Sequence, residues 1–243
     1  SQERMSYRLA LDSDGAESNT LLSAFTAAKN QLYGPLFVDT DLAGKTDDPG
    51  LESLTGRVQF AVHPGKIKDV SLLQLTIEKL GTFGEAALLA AALDKPSRMK
   101  KLERYYGDEF RELAGTFDVA RGWARTNDLR LVYDGYRVDL AGGLRLRDLG
   151  LDFAGTLTFD KEVDEALAGS ASTPVEPERR TIELASIKGT VSDPKVNLSS
   201  KAVRSWVAGY SRAKYQDKID EKLGKELGGD VGDLVEGIFG KKR

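Results

Sequence analysis

Residues 113–159 read LAGTFDVARGWARTNDLRLVYDGYRVDLAGGLRLRDLGLDFAGTLTF, with apolar and polar side chains in near-continuous alternation. Leu129, Leu131 and Tyr133 face one way while Arg130 and Asp134 face the other. Val138 and Leu140 alternate with Arg137 and Asp139, then Leu144 and Leu146 with Arg145 and Arg147. Leu149, Leu151 and Phe153 follow, interleaved with Asp148 and Asp152. A period of two is that of strands with one buried and one wet face. The connections are tight, Asp134-Gly135 being a hairpin-type turn, so the stretch predicts an antiparallel meander.

Inside this stretch, and again outside it, one phrase recurs: apolar, any, glycine, any, apolar. Its copies are Leu54-Thr55-Gly56-Arg57-Val58, Leu113-Ala114-Gly115-Thr116-Phe117, Leu140-Ala141-Gly142-Gly143-Leu144, Phe153-Ala154-Gly155-Thr156-Leu157 and Ile187-Lys188-Gly189-Thr190-Val191. Each sets a glycine between two apolar side chains on one strand face. A glycine there weakens a strand and marks a bend, a bulge or a surface closely approached. The recurrence predicts a curved sheet with a hollow apolar face. A longer match, Leu54 to Phe60 with Leu113 to Val119, suggests one hairpin unit written twice.

Working outward, Met5, Tyr7, Leu9 and Leu11 predict a half-buried strand. Ser18 or Asn19 can cap a helix bearing Leu21, Leu22, Phe25, Ala28 and Leu32, ended by Gly34-Pro35. Leu36 to Leu42 is the next strand, a polar turn surrounds Asp47 to Gly50, and Pro64-Gly65 closes the strand through Val62. Residues 70–106 change character: Val70 to Leu80 suits strand or helix, with breaks at Gly81 and Gly84. Glu85 to Leu93 favours helix, and Pro96 opens another helix ending near Tyr106-Gly107. Residues 160–179 read as a loop or short helix plus linker. A final strand, Ile182 to Val191, leads into a turn at Ser192-Asp193-Pro194-Lys195. After Ser199, Val203, Trp206, Val207, Tyr210, Ile219 and Leu223 give a helical stripe, broken at Gly228-Gly229 before a second short amphipathic piece.

The 243 residues carry 35 basic and 38 acidic side chains, a net charge of −3 that disfavours a nucleic-acid partner. The absence of cysteine excludes disulfides, thiolate metal sites and cysteine nucleophiles. No apolar run approaches the roughly 20 residues of a membrane helix. The start, Ser1 to Tyr7, lacks signal-peptide character and enters the strand pattern at once, as a piece of a longer protein would.

Residue types that carry chemistry are sparse. His63, the sole histidine, sits in a turn and supports neither a triad nor a zinc site. Asp39/Asp41 and Asp47/Asp48 lack EF-hand spacing and read as solvated turn carboxylates. Gly142-Gly143 lacks the lysine-serine and following helix of a phosphate loop. Lys95, Arg98, Lys100, Lys101 and Arg104, with Tyr105 and Tyr106, read as a solvated helix face or as a contact for anionic lipid headgroups. No constellation suggests an enzyme, a metal or a cofactor.

The chain resembles the C-terminal region of the AsmA family of bacterial envelope proteins. The residues that carry the likeness are Leu113 to Phe117, Gly122-Trp123-Ala124-Arg125-Thr126-Asn127-Asp128-Leu129-Arg130-Leu131, Tyr136 to Gly142, and Ile187 to Val196. It covers most of residues 17–198, and the long helical tail departs from the usual short ending. The resemblance implies a periplasmic domain tethered, in a full-length protein, by an N-terminal inner-membrane helix. It also implies kinship with elongated β-groove proteins that move lipids between membranes.

The expected fold is therefore α+β: an elongated, strongly curved antiparallel sheet over residues 1–198 wrapping helices inserted at 70–106, then a helical tail over 199–243. The expected function is non-enzymatic binding or conduction of phospholipid acyl chains along the apolar face, in lipid transport between membranes and outer-membrane assembly. The face is assigned to Gly56, Val58, Phe60, Val62, Leu113, Gly115, Phe117, Val119, Leu129, Leu131, Tyr133, Leu144, Leu146, Phe153, Gly155, Leu157 and Phe159. Helices at 17–33, 70–106 and 201–224 could instead fill that face. A different reading is an assembly module that docks other envelope proteins through an open sheet edge.

Overall fold

A computed structural model describes residues 5–25, 30–49, 51–82, 102–163, 181–199 and 201. Along the chain the elements are β1 (Ser6–Glu17), α1 (Ser18–Phe25), β2 (Leu32–Tyr33), β3 (Pro35–Lys45), β4 (Thr55–Val62), β5 (Gly65–Ile67) and α2 (Leu72–Thr82). A 3-10 turn (Glu103–Tyr105) follows, then β6 (Glu109–Phe110), β7 (Glu112–Ala120), β8 (Trp123–Val132), β9 (Tyr136–Arg145), β10 (Gly150–Phe159), β11 (Thr181–Thr190) and β12 (Asp193–Leu198). Nine strands form one open sheet in the order β1-β3-β4-β7-β8-β9-β10-β11-β12, and β2, β5 and β6 form a small second sheet. Every pairing is antiparallel. The insertion between β4 and β7 leaves those strands neighbours, so the long sheet is a meander interrupted only by that excursion.

The meander from Leu113 to Phe159 forms as its alternation requires, with the Asp134-Gly135 turn between β8 and β9. The two copies of the longer repeat become partners. Gly56 stands opposite Val119, Val58 opposite Phe117 and Phe60 opposite Gly115. In β9 and β10 two further glycine phrases pair the same way: Leu140 opposes Gly155, Ala141 opposes Ala154 and Gly142 opposes Phe153. Each glycine thus receives the large side chain of its counterpart, which preserves apolar area where a strand glycine would lose it.

Several expectations are corrected. The first strand runs through Glu17 and is largely exposed rather than half-buried: Met5, Tyr7 and Leu9 are 68%, 39% and 40% accessible. They lie in or beside the edge strand β1, where among the described residues no second strand neighbours it. Leu32 belongs to β2, not to a continuous helix over 18–33; the Ser18 hydroxyl donates to the Leu32 carbonyl and ties the helix start to that strand. Of the stretch Val70 to Leu80, Leu72 onward is helix, and α2 continues through Gly81, which does not break it. Of the predicted turn at residues 192–195, Ser192 is in the turn together with Val191, while Asp193, Pro194 and Lys195 open β12. Leu146 lies in the turn after β9, where its N–H donates to the Gly122 carbonyl. The expected helices at 85–93 and 96–106, apart from the 3-10 turn, the linker beyond Val163 and the tail beyond Lys201 fall outside the described residues.

One apolar cluster underlies the sheet. Leu73, Leu102, Tyr133, Tyr136, Val138, Leu157, Phe159, Ile182 and Leu184 are all at most 2% accessible. Helix α2 contributes Leu72, Leu73 and Ile77 to it and packs near β12. The other sheet face is wet and laced with cross-strand ion pairs, including Arg8–Asp41, Arg57–Asp118 and Arg130–Asp139. Exposed pairs of this kind are screened by water and add little to stability.

Candidate functional site: the apolar face

The two ends of the apolar face differ. Near the β8–β9 turn it is filled. Tyr133 and Tyr136 stack at 4.6 Å between ring centroids, Phe110 meets Tyr133 edge-on, and Tyr105, Leu102 and Val163 are buried in the same cluster. Burial pushes both phenols upward in pKa.

Toward the middle and far side of the sheet the described residues leave it unfilled. Among the described residues a cavity of about 370 Å³ lies against β3, β4 and β7–β11, with Gln31 the sole polar residue in its lining. Phe60 and Phe117 form part of its wall as a stacked pair, 5.7 Å between centroids and 8° between planes. Val58, Phe60, Phe117, Leu144 and Leu151 line it and are only partly buried, although they pack on the core. A volume of that order falls within the range of small-molecule sites.

Of the residues assigned to the face, Val58, Phe60, Leu113, Phe117, Leu129, Leu131, Leu144 and Phe153 line this cavity. Val62, Val119, Tyr133, Leu157 and Phe159 are buried core positions outside its lining, and Leu146 is in its turn. Gly56, Gly115 and Gly155 do not line it either. The wall also takes Leu36, Val38, Ile67, Leu149, Ile187 and Val191. Leu36 and Val38 carried the right signal, since they alternate on β3 like the residues chosen on β4. Leu149 reaches the wall from a turn, where no strand period applies.

The phrase glycines have another task. A β-carbon on Gly56, Gly142, Gly155 or Gly189 would lie within 2.3 Å of an aspartate carbonyl oxygen on the next strand: Asp41, Asp152, Asp139 and Asp193 respectively. At Gly115 it would lie 3.1 Å from the Leu129 Cα, beside Asp128. The phrase therefore reads a close approach of backbones against an Asp-apolar pair. Three of these sites adjoin register shifts: between Phe153 and Gly155 against β11, between Ala114 and Asp118 on β7, and between Thr126 and Leu129 against β9. At the β7–β8 irregularity the Asp128 carboxylate replaces a lost ladder partner, accepting from the Thr116 N–H at 2.9 Å and the Thr126 hydroxyl at 2.8 Å. The Thr116 N–H foremost holds its pKa below the usual carboxylate range, against a smaller cost of desolvation.

On the wet face a broad polar trough of about 800 Å³ is lined by Asp12, Asp14, Asp39, Glu112, Asp128 and Arg130, with Phe37 and Phe60 among its apolar residues. No group of three or more His, Asp or Glu among the described residues could hold a metal ion. His63 is exposed in its turn and stacks on Phe37 at 4.7 Å. Of the basic cluster, Arg104 is described: it is exposed and lies 4.5 Å over the Tyr105 ring. Lys95, Arg98, Lys100 and Lys101 fall outside the described residues. No described helix is long and apolar enough to cross a membrane. No protein-family model, no curated protein and no solved structure matches the chain.

Proposed function

We propose that the apolar face is the concave side of a lipid-binding groove, and that the cavity along Phe60 and Phe117 shelters an acyl chain. The carrying observation is the cavity's chemistry: one polar residue in a wall of leucine, valine, isoleucine and phenylalanine, with the wall's central side chains only partly buried. Such a wall offers hydrophobic transfer free energy of about 25 cal/mol per Å² of apolar surface covered, and no hydrogen-bond pattern with which to select a polar ligand. The charged outer face keeps the carrier in water while the chain is held.

On this reading the protein is a non-enzymatic envelope domain like the AsmA family it resembles, periplasmic and membrane-anchored in its full-length form. It would hold phospholipid chains in transit between the inner and outer membranes. The test is direct: purify the protein without detergent, extract it with organic solvent and analyse the extract by mass spectrometry. Phospholipid at a defined ratio to protein is expected. A lipid-free extract, together with failure of the delipidated protein to shield an acyl-chain fluorophore, would refute the reading.

A further inference from the structure

The exposed large apolar side chains of the described residues, Met5, Tyr7 and Leu9, all lie at one place: in or beside β1. Tyr7, Leu9 and Leu11 oppose Gly44, Leu42 and Thr40 of β3, so they extend the sheet's apolar face to its rim. Thr46 donates its N–H to the Met5 carbonyl. In an antiparallel ladder bonded pairs alternate, so the odd residues of β1 bond to β3. Ser6, Arg8, Ala10, Asp12 and Asp14 then turn N–H and C=O to the free edge.

The two edges of the sheet are not alike. β12 has six residues, begins Asp-Pro-Lys, and has α2 packed near it. Short length, proline and lysine are devices that blunt an edge against pairing. β1 has twelve residues without proline, and its ladder is regular from Ser6 to Asp14 before the shift at Gly15. The midpoint of that regular stretch is Ala10.

We propose that β1 pairs with β1 of a second copy of this chain, antiparallel and centred on Ala10, joining two sheets across a two-fold axis. The register is self-complementary. Arg8 faces Asp12 of the second copy, Leu9 faces its Leu11, and Ala10 faces Ala10, each contact made twice. Registers centred on Arg8 or Asp12 would set a like charge against itself, whereas this one spans the whole regular stretch from Ser6 to Asp14 and sets Leu9 against Leu11 twice. The exposed Leu9 and the half-buried Leu11 are covered on the apolar side, and opposite charges meet on the wet side.

Ala10 supplies the test, because proline there removes an edge N–H without touching the β1–β3 ladder. In sedimentation equilibrium the wild-type chain should have twice the monomer mass, and Ala10→Pro should halve it while its far-UV circular dichroism stays that of the folded chain and its melting temperature loses the concentration dependence of a dimer. Since the chain has no cysteine, Ala10→Cys should form an interchain disulfide under mild oxidation while Asp12→Cys does not, because only the former faces itself across the axis. This second variant decides the matter even if proline unfolds the strand. A wild-type monomer at high concentration, a dimer indifferent to Ala10→Pro, or coupling at Asp12→Cys in place of Ala10→Cys would overturn the proposal. Pairing of β1 with a strand of another protein would show as that wild-type monomer.

Discussion

Gly155 and Asp139 meet across β9 and β10 so closely that a β-carbon on the glycine would stand 2.0 Å from the Asp139 carbonyl oxygen. Backbone cannot yield as a side-chain end can, so Gly155→Ala must push two strands of the sheet apart. Gly142 adds a φ of +145° to a clash of 2.2 Å with the Asp152 oxygen. At Gly115 the nearest atom is 3.1 Å away. Alanine at Gly155 or Gly142 is expected to cost at least about 2 kcal/mol, and at Gly115 about 1 kcal/mol or less. Denaturant melts of the three variants check the order; equal costs would show that the close approaches do not govern stability.

The buried and half-buried parts of the face should separate under mutation. Leu157 is fully buried, and Leu157→Ala should cost about 2–5 kcal/mol. Leu144→Trp, at the partly buried cavity wall, should leave the melting temperature within a few degrees while abolishing uptake of an acyl-chain probe. Loss of stability without loss of uptake at Leu144 would place the lipid elsewhere.

The Tyr133 hydroxyl is buried and, among the described residues, has no hydrogen-bond partner. A buried unpaired hydroxyl carries a desolvation cost of about 1–3 kcal/mol, so Tyr133→Phe should be neutral or stabilising by that order. The stack on Tyr136 is kept by phenylalanine. A clear drop in melting temperature would reveal a partner for the hydroxyl.

Asp128 gives the fold an acid-sensitive joint. Its folded pKa is below the ordinary carboxylate value, so its contribution is present above that value and is lost as pH falls through the folded one. Asp128→Asn keeps an oxygen for the Thr116 N–H and removes the titration. Its melting temperature should fall less steeply than wild type below about pH 4. Parallel curves for the two proteins would remove Asp128 from the acid response.

What the sequence reveals follows from which forces are local. The strands from Leu113 to Phe159 are legible because each buries one face, and burial writes itself as alternation. The glycine phrase also carries its information openly, yet its meaning depends on the neighbouring strand: Gly155 alone does not say that Asp139 will occupy the place of its β-carbon. β12 escapes because Asp193-Pro194 looks like a turn, and proline is tolerated only because this strand is an edge. The exposure of Tyr7 and Leu9 is hidden for the same reason, since alternation records which side a residue faces and not whether anything covers it. Strand period reaches eight of the cavity's lining residues, Val58 to Phe153; Leu149, in a turn, escapes it.

Phe117 and Asp118 are adjacent in β7 and take opposite faces of the sheet, which makes them the sharpest probe of the lipid groove. A photoreactive phenylalanine placed at each in turn, with the protein exposed to radiolabelled phospholipid and irradiated, reports which face meets acyl chains. Labelling at position 117 and not at 118 is the predicted result. Equal labelling at both positions, or none at 117, would contradict a groove on the apolar face.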